Sequence, residues 1–239
     1  MRVLMLGSAP MAAEASTWAR APFDLVLAIN NAWRIRPDWD VAIHPYDFPV
    51  ERQAIADEDR RIVTEAEFVP AQNEFGGFVY AGATMAFTAA YWALHALRPS
   101  VIAVYGCDMH YPAAGPTHFY GAGTPDPLRQ DITLRSLEAK AARLMVLAAR
   151  QDCAMVNLSQ GPSRLVFPRA SRAAVAGARP GVWSEVVADE ALQREAELGY
   201  VVPSGRYWEQ AGRFDPTALD AVDALWRAAV ADEVLRRSA

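Results

Sequence analysis

Short runs of apolar residues recur along the chain, and each stops at a small or polar residue. One run from position 2 ends at Gly7, residues 25–29 end at Asn30, and residues 101–105 end at Gly106. Runs closed in this way are typical of parallel strands buried on both faces. Residues 41–43 and 154–156 predict two further strands, and the pair 68–69 predicts a short one before a proline.

Helical patterns separate these predicted strands. Residues 12–20, 82–97 and 134–150 predict helices, and the second is apolar on almost every side, which is typical of a buried helix. The charged segment 51–61 predicts a solvated helix. Strands that alternate with helices indicate an α/β domain with a mostly parallel sheet.

The pattern changes beyond Pro168. A segment rich in Ala, Arg and Gly predicts a linker, residues 184–198 predict a helix, and Asp215-Pro216 is typical of a cap and first turn for a helix over 217–236. We therefore predict a core over 1–168 and a linker with a C-terminal helical appendage over 169–239. Its aromatic residues are expected to pack on the core or on a second subunit of a homo-oligomer: Trp183, Tyr200, Tyr207, Trp208 and Trp226.

Composition narrows the classes of function. No stretch approaches the roughly 20 apolar residues of a membrane span, and a net charge of −5 disfavours nucleic-acid binding. Cys107 and Cys153 are the only cysteines, so we expect buried free thiols in a reducing compartment, the cytoplasm. Lys140 is the only lysine, which argues against a lysine-based phosphate cradle or Schiff base.

The ends of the predicted strands are candidate binding positions, since open parallel sheets bind ligands outside the carboxyl ends of their strands. Backbone amides of Gly7, Ser8 and Ala9 are placed to approach a phosphate or ribose, although a tight turn is an equal alternative. Asn30 and Asn31 suit the recognition of a base edge or a sugar hydroxyl, or else a left-handed turn.

A long loop over about 109–130 predicts a lid or binding loop. Its aromatic residues suit closure over a ligand, and its His118 is a candidate general base, with a surface histidine as the alternative. We predict no metal site. The possible ligands Asp108, His110, His118 and His44 match no established zinc spacing. Asp38-Trp39-Asp40 precedes a strand, which indicates turn and cap chemistry.

Taken in order, these segments resemble the bacterial lipooligosaccharide sialyltransferases and the related pyrophosphokinase and flagellin-modifying transferases. The resemblance covers roughly residues 2–167. It rests on short motifs at seven places: Gly7-Ser8-Ala9-Pro10-Met11, Asn30-Asn31, His44-Pro45, Ala81-Gly82, Gly106-Cys107-Asp108-Met109-His110, His118 and Asn157-Leu158-Ser159. It implies a modified Rossmann-like sheet with helices on both faces.

The resemblance also implies an activity, the transfer of a sugar from a cytidine-monophosphate donor to a glycan or other acceptor by direct displacement. His118 would be the base, Asp108 would orient a substrate, and His110, Tyr111 or Tyr120 would lie near the departing phosphate. Donor contacts would fall on two groups of residues, Gly7, Ser8, Ala9, Asn30 and Asn31, and His44, Ala81, Gly82, Gly106, Asn157 and Ser159. No cofactor would be required.

Two alternatives stay open at the level of sequence. A pyrophosphokinase-like transfer would need Mg²⁺ held by carboxylates, for which Asp108 and Asp47 are available. A catalytically silent nucleotide-binding module would act through the C-terminal helices instead.

Overall fold

The computed structural model of the chain describes residues 1–111, 115–121 and 129–231. The strands in these ranges are β1 (Arg2–Leu6), β2 (Leu25–Ile29), β3 (Val41–Ile43), β4 (Arg61–Val63), β5 (Val101–Tyr105) and β6 (Ala154–Asn157). The α-helices are α1 (Glu65–Asn73), α2 (Phe78–Ala81), α3 (Met85–Leu97), α4 (Leu137–Ala149), α5 (Glu185–Leu198) and α6 (Pro216–Ala229). Short 3-10 helices cover Pro10–Thr17, Asn30–Ile35, Val50–Arg52, Ile132–Leu134, Arg172–Gly177 and Tyr207–Arg213.

The six strands form one parallel sheet in the order β4-β3-β2-β1-β5-β6. Strand β1 lies at its centre, where Leu6 is opposite Ala28 of β2 and Tyr105 of β5. The chain therefore builds one half of the sheet outward from β1, then crosses back to add β5 and β6 on the other side. This order confirms the predicted α/β, Rossmann-like fold.

Both faces of the sheet are buried, which explains the continuous apolar runs. Val3, Met5 and Leu27 belong to a hydrophobic cluster that includes residues of α3 and α4. Leu4 and Val26 face the other way and pack in a second cluster with residues of the 3-10 helices Pro10–Thr17 and Arg172–Gly177. Helices thus cover both faces, α-helices on one and mainly 3-10 helices on the other.

Two predictions for residues 51–69 are wrong. The charged segment 51–61 does not form a long helix, and its end enters the edge strand β4, where Arg61 is exposed and Val63 buried. The pair 68–69 lies inside α1 instead of a strand. The spacing of the buried residues Phe68, Ala71 and Gln72 is helical, and Pro70 is accommodated within the helix.

The C-terminal helices share the core of the sheet domain. Buried residues of α5 and α6, among them Ala188, Val222 and Trp226, join the same hydrophobic cluster as α3 and α4. Tyr200 and Tyr207 are also buried, whereas Trp208 is 62% exposed. The predicted boundary at residue 168 and a homo-oligomer stay predictions, and residues 232–236 of the predicted last helix lie outside the described residues.

A buried ion pair connects α4 to the C-terminal helices. Arg143 donates to both carboxylate oxygens of Glu195 at 2.8 Å, and also to the Tyr91 hydroxyl at 2.9 Å. The indole of Trp226 donates to the same carboxylate at 2.7 Å. Burial alone would lower the pKa of Arg143, but the charge of Glu195 raises it above its ordinary value. The pair is therefore compensated within the core.

The remaining global predictions concern the cysteines and membrane spans. Cys107 and Cys153 are both free and both buried. In the part of the chain that the structure describes, no helix has the length and apolarity needed to cross a membrane.

Replacing Glu195 by Gln should lower the free energy of unfolding by about 3–5 kcal/mol, because the Arg143 charge would stay buried without a counter-charge. Urea denaturation measures the change. Glu197→Gln is the matched control, since this exposed residue of the same helix pairs with Arg194 at the surface and should change stability by less than about 1 kcal/mol. If both variants lost less than about 1 kcal/mol of unfolding free energy, the buried pair would not be needed to compensate the Arg143 charge.

Candidate functional site

A cleft of about 480 Å³ opens at the carboxyl edge of the sheet. It lies where β1 meets β5, the point at which the order of the strands reverses. Residues that follow β1, β2, β3 and β5 line it together with the start of α3 and part of the loop after β5. Open α/β sheets bind ligands at such a switch point.

The floor of the cleft is made by two loops in very close contact. The amide of Gly7 donates to the Tyr105 carbonyl at 2.9 Å, and the amide of Ala9 donates to the Gly106 carbonyl at 3.0 Å. A β-carbon on Gly7 would lie 2.3 Å from the Gly106 carbonyl oxygen, so no side chain fits there. Gly106 has a φ of +73°, a conformation that favours glycine. Glycine at both positions thus lets Ser8 line the cleft.

Asn30 contributes from the end of β2. Its backbone is left-handed, with a φ of +52°, and its side-chain oxygen is buried with no hydrogen-bond partner among the described residues. Asn30 lines the cleft. Its neighbour Asn31 is buried and does not line it. Of the two asparagines, only Asn30 is in a position to contact a ligand directly.

Asp108 is a buried polar group of the cleft. It is 4% exposed, and its Oδ1 accepts a hydrogen bond from the Asn157 amide at 2.9 Å and lies 3.8 Å from the Arg169 guanidinium. Its Oδ2 is buried and has no partner within the described ranges. A buried carboxylate oxygen without a partner is costly, so Oδ2 is an unsatisfied acceptor on a residue that lines the cleft.

Asn157 and Ser159 lie behind the cleft and do not line it. Both are fully buried. Asn157 holds Asp108 through its amide and accepts from the Ser159 backbone at 2.9 Å, while the Gly106 amide donates to the Ser159 hydroxyl at 3.4 Å. The end of β6 therefore positions the groups that reach the cleft from β5.

The loop after β5 supplies the aromatic and imidazole groups of one wall. His110, Tyr111, His118 and Tyr120 all line the cleft. The His118 ring stacks on Tyr120 with centroids 4.9 Å apart, and its Nδ1 lies 2.9 Å from the Thr117 hydroxyl. The backbone amide of Phe119 donates to the Ser8 carbonyl at 2.9 Å, so this part of the loop is bound to the segment that follows β1. Residues 112–114 and 122–128 of the predicted lid lie outside the described residues.

Three further predicted contacts do not line the cleft. His44 is buried beside Phe48, with its Nδ1 2.9 Å from the Pro45 carbonyl. Ala81 is fully buried at the end of α2. Gly82 caps that helix with a φ of +86°, and a β-carbon there would approach Phe87 to 2.9 Å. Near these positions, neighbouring residues line the cleft instead: Pro45, Thr84 and Met85.

Sequence reasoning missed several of those neighbours. Phe48, Pro49 and Arg52 follow β3, and Thr84 and Met85 begin α3. The first group could have been found from its position after β3, but the sequence analysis chose only His44 and Asp47 from that segment. Thr84 was missed because a threonine before a helix is explained by capping, and its hydroxyl does cap α3 by accepting from the Phe87 amide at 3.3 Å.

Asp38 and Asp40 do not line the cleft. Asp38 pairs with Arg36 at 2.7 Å. Asp40 accepts from the Val26 amide of β2 at 2.6 Å, which is a contact between distant segments and differs from the predicted turn and cap chemistry. Burial raises the pKa of the cleft-lining Cys107 thiol, and the neighbouring Asp108 raises it further, so this thiol is a poor nucleophile. Among the residues that the structure describes, no three His, Cys, Asp or Glu side chains form a cluster suited to a metal ion.

Comparison of the chain with protein-family models, with curated proteins and with solved structures gave no match. The assignment of function therefore depends on the cleft itself and on the resemblance of its sequence motifs.

Replacing Gly7 by Ala should lower the free energy of unfolding by about 1–3 kcal/mol, because the added methyl group would collide with backbone at the Gly106 carbonyl. Urea denaturation provides the measurement. Gly177→Ala serves as the control, since a β-carbon there meets no described atom within 4 Å. If Gly7→Ala were as stable as this control, the two loops could not be in the close contact that forms the floor.

Proposed function

We propose that the chain is a sialyltransferase-like glycosyltransferase that uses a nucleotide-activated sugar, with a cytidine-monophosphate sugar as the donor expected from the resemblance. The observation that carries the proposal is the convergence of Ser8, Asn30, Asp108 and His118 on one cleft at the switch point of the sheet. Its volume of about 480 Å³ lies in the range typical of small-molecule sites.

Asp108 is the residue proposed to orient a substrate. Its Oδ1 is fixed by Asn157, and its Oδ2 is the buried acceptor without a described partner. A ligand that presents a hydroxyl or amino group would satisfy this oxygen. A nucleoside carries both kinds of donor, which agrees with a nucleotide as the ligand.

His118 is the proposed general base. If its Nδ1 carries the proton and donates to the Thr117 hydroxyl, Nε2 carries the lone pair that can accept a proton. In the proposed displacement, an acceptor hydroxyl oxygen attacks the anomeric carbon and its proton passes to Nε2 of His118. The bond from that carbon to the phosphate oxygen breaks, and the nucleoside monophosphate leaves.

Tyr111, Tyr120 and His110 are the groups proposed to stabilise the departing phosphate. They line the same wall of the cleft as His118. Phenolic and imidazole N–H or O–H groups can donate to the charge that develops on the phosphate oxygens. This division of roles needs no cofactor and no metal ion for the transfer step.

One observation favours the alternative of a Mg²⁺-dependent pyrophosphokinase-like transfer. Asp47, from the segment after β3, lines the same cleft as Asp108, and carboxylate oxygens are the usual protein ligands of Mg²⁺. A catalytically silent nucleotide-binding module would use the same cleft without the proton transfer to His118. We also propose a cytoplasmic location, which the two buried free thiols favour.

Thermal-shift measurements with CMP, UDP, GDP and ATP, each with and without Mg²⁺, should show stabilisation by CMP that does not depend on the metal ion. A ligand that binds only the folded state at 100 times its dissociation constant stabilises it by about 2.7 kcal/mol. Stabilisation by ATP only in the presence of Mg²⁺ would favour the pyrophosphokinase-like alternative. No stabilisation by any of the four would contradict a nucleotide site.

His118→Ala should lower turnover of a CMP-sugar by at least about 100-fold, since a positioned general base contributes roughly that much or more, while CMP binding is retained. Release of CMP, followed by chromatography, measures the rate, and calorimetry measures the binding. His95→Ala is the control, because His95 is exposed on α3, away from the cleft. Unchanged turnover in His118→Ala would remove the catalytic assignment and favour the silent module.

A further inference from the structure

Arg52 stands out among the residues around the cleft. It is the only lysine or arginine among the described residues that line it. Its side chain is 50% exposed, and its ion pair is a 3.9 Å contact with Glu51, which is itself 69% exposed. Exposed pairs at this distance contribute little to stability. Within the described parts of the chain, the Arg52 guanidinium therefore has only this weak ion pair.

The turn that carries Arg52 is nevertheless firmly held. The indole of Trp33 donates to the Arg52 carbonyl at 2.9 Å, and Arg34 donates to the Glu51 carbonyl at 3.2 Å. Gln53 donates from its side chain to the Phe48 carbonyl at 2.8 Å. Trp33 and Arg34 belong to the 3-10 helix Asn30–Ile35, which begins at the cleft residue Asn30. Side chains of the 3-10 helix that begins at Asn30 therefore hold the backbone of Glu51 and Arg52 in place.

The polar groups of the cleft differ in burial and in charge. Asp108 and Asn30 have buried oxygens without described partners, and these can only accept hydrogen bonds. Arg52 is half exposed, its guanidinium can only donate, and it carries a full positive charge. A ligand that pairs with both kinds of group has hydroxyl or amino donors and an anionic group.

We propose that Arg52 recognises the anionic group of the substrate, a phosphate or a carboxylate, and so sets the orientation of the substrate in the cleft. This inference rests on the proposed function for the identity of the substrate as a nucleotide-sugar. Arginine suits the role because its planar fork of N–H donors matches the oxygens of both anions. Asp47 also lines the cleft, and the positive charge of Arg52 offsets the negative charge of this carboxylate toward an anionic ligand.

The test compares Arg52→Ala with the wild-type protein by calorimetry, using cytidine, CMP and CMP-N-acetylneuraminic acid, and by thermal shift with inorganic pyrophosphate. The variant should fold normally, because Trp33 contacts the backbone carbonyl of Arg52 and not its side chain. Arg206→Ala is the matched control. Arg206 is an exposed arginine that also pairs with a neighbouring glutamate, at 3.5 Å, and it does not line the cleft.

Arg52→Ala should bind cytidine as the wild type does and lose about tenfold in affinity for an anionic ligand, the effect of one charge-assisted hydrogen-bonded contact. A loss that already occurs with CMP identifies the phosphate as the recognised group. A loss confined to CMP-N-acetylneuraminic acid identifies the sugar carboxylate. Arg52→Lys should recover only part of the affinity, since lysine lacks the planar fork.

Two results would overturn the inference. One is unchanged affinity for every anionic ligand in Arg52→Ala, and the other is a wild-type protein that binds neither CMP nor pyrophosphate. A third result would contradict the proposed function and leave the role of Arg52 intact. In that result pyrophosphate stabilises the wild type but not Arg52→Ala, while no nucleoside or nucleotide binds.

Discussion

The close contact between the ends of β1 and β5 is the constraint on which the rest of the site depends. The two strands are neighbours in the sheet although residues 7–100 separate them in the chain. Their loops approach until only glycine fits at position 7. This contact brings Ser8, which follows β1, and Asp108, which follows β5, to the same cleft. A wider gap would leave each polar group on its own strand end, and no shared cleft would exist.

Buried charges fix the layer of helices behind this contact. Arg143 and Lys140 both extend from α4, and they pair with Glu195 of α5 and Asp223 of α6 at 2.8 Å. Such pairs contribute less to net stability than to a unique arrangement, because a helix that slipped by one turn would leave charges unpaired in the core. The C-terminal segment is also linked, through Arg129, to the residue that precedes Thr84. Tyr207 donates to Asp131, and Arg129 donates to both Tyr207 and the Ala83 carbonyl, next to the cleft-lining Thr84.

The sequence allowed the sheet to be predicted better than its surroundings, for physical reasons. Central strands such as β5 are buried on both faces, so their apolar runs are unambiguous. The edge strand β4 is exposed at Arg61 and only three residues long, which leaves little pattern to detect. Ser8, Asn30 and Asp108 were predicted because position after a buried strand is a local property, and all three line the cleft. The supporting role of Asn157 and the contribution of Arg52 depend on contacts between distant segments, which no local pattern encodes.

The distribution of polar groups in the cleft bears on the proposed transfer. Asp108 and Asn30 have buried acceptor oxygens, Arg52 contributes a half-exposed cation, and the loop after β5 carries His118 and Tyr120. In the proposed reaction, a substrate held by both kinds of group would have few orientations available, which lowers the entropic cost of bringing a reacting bond to the imidazole. Asn157 bonds the Asp108 side chain and Trp33 bonds the Arg52 backbone, so the fold holds both groups before any ligand binds.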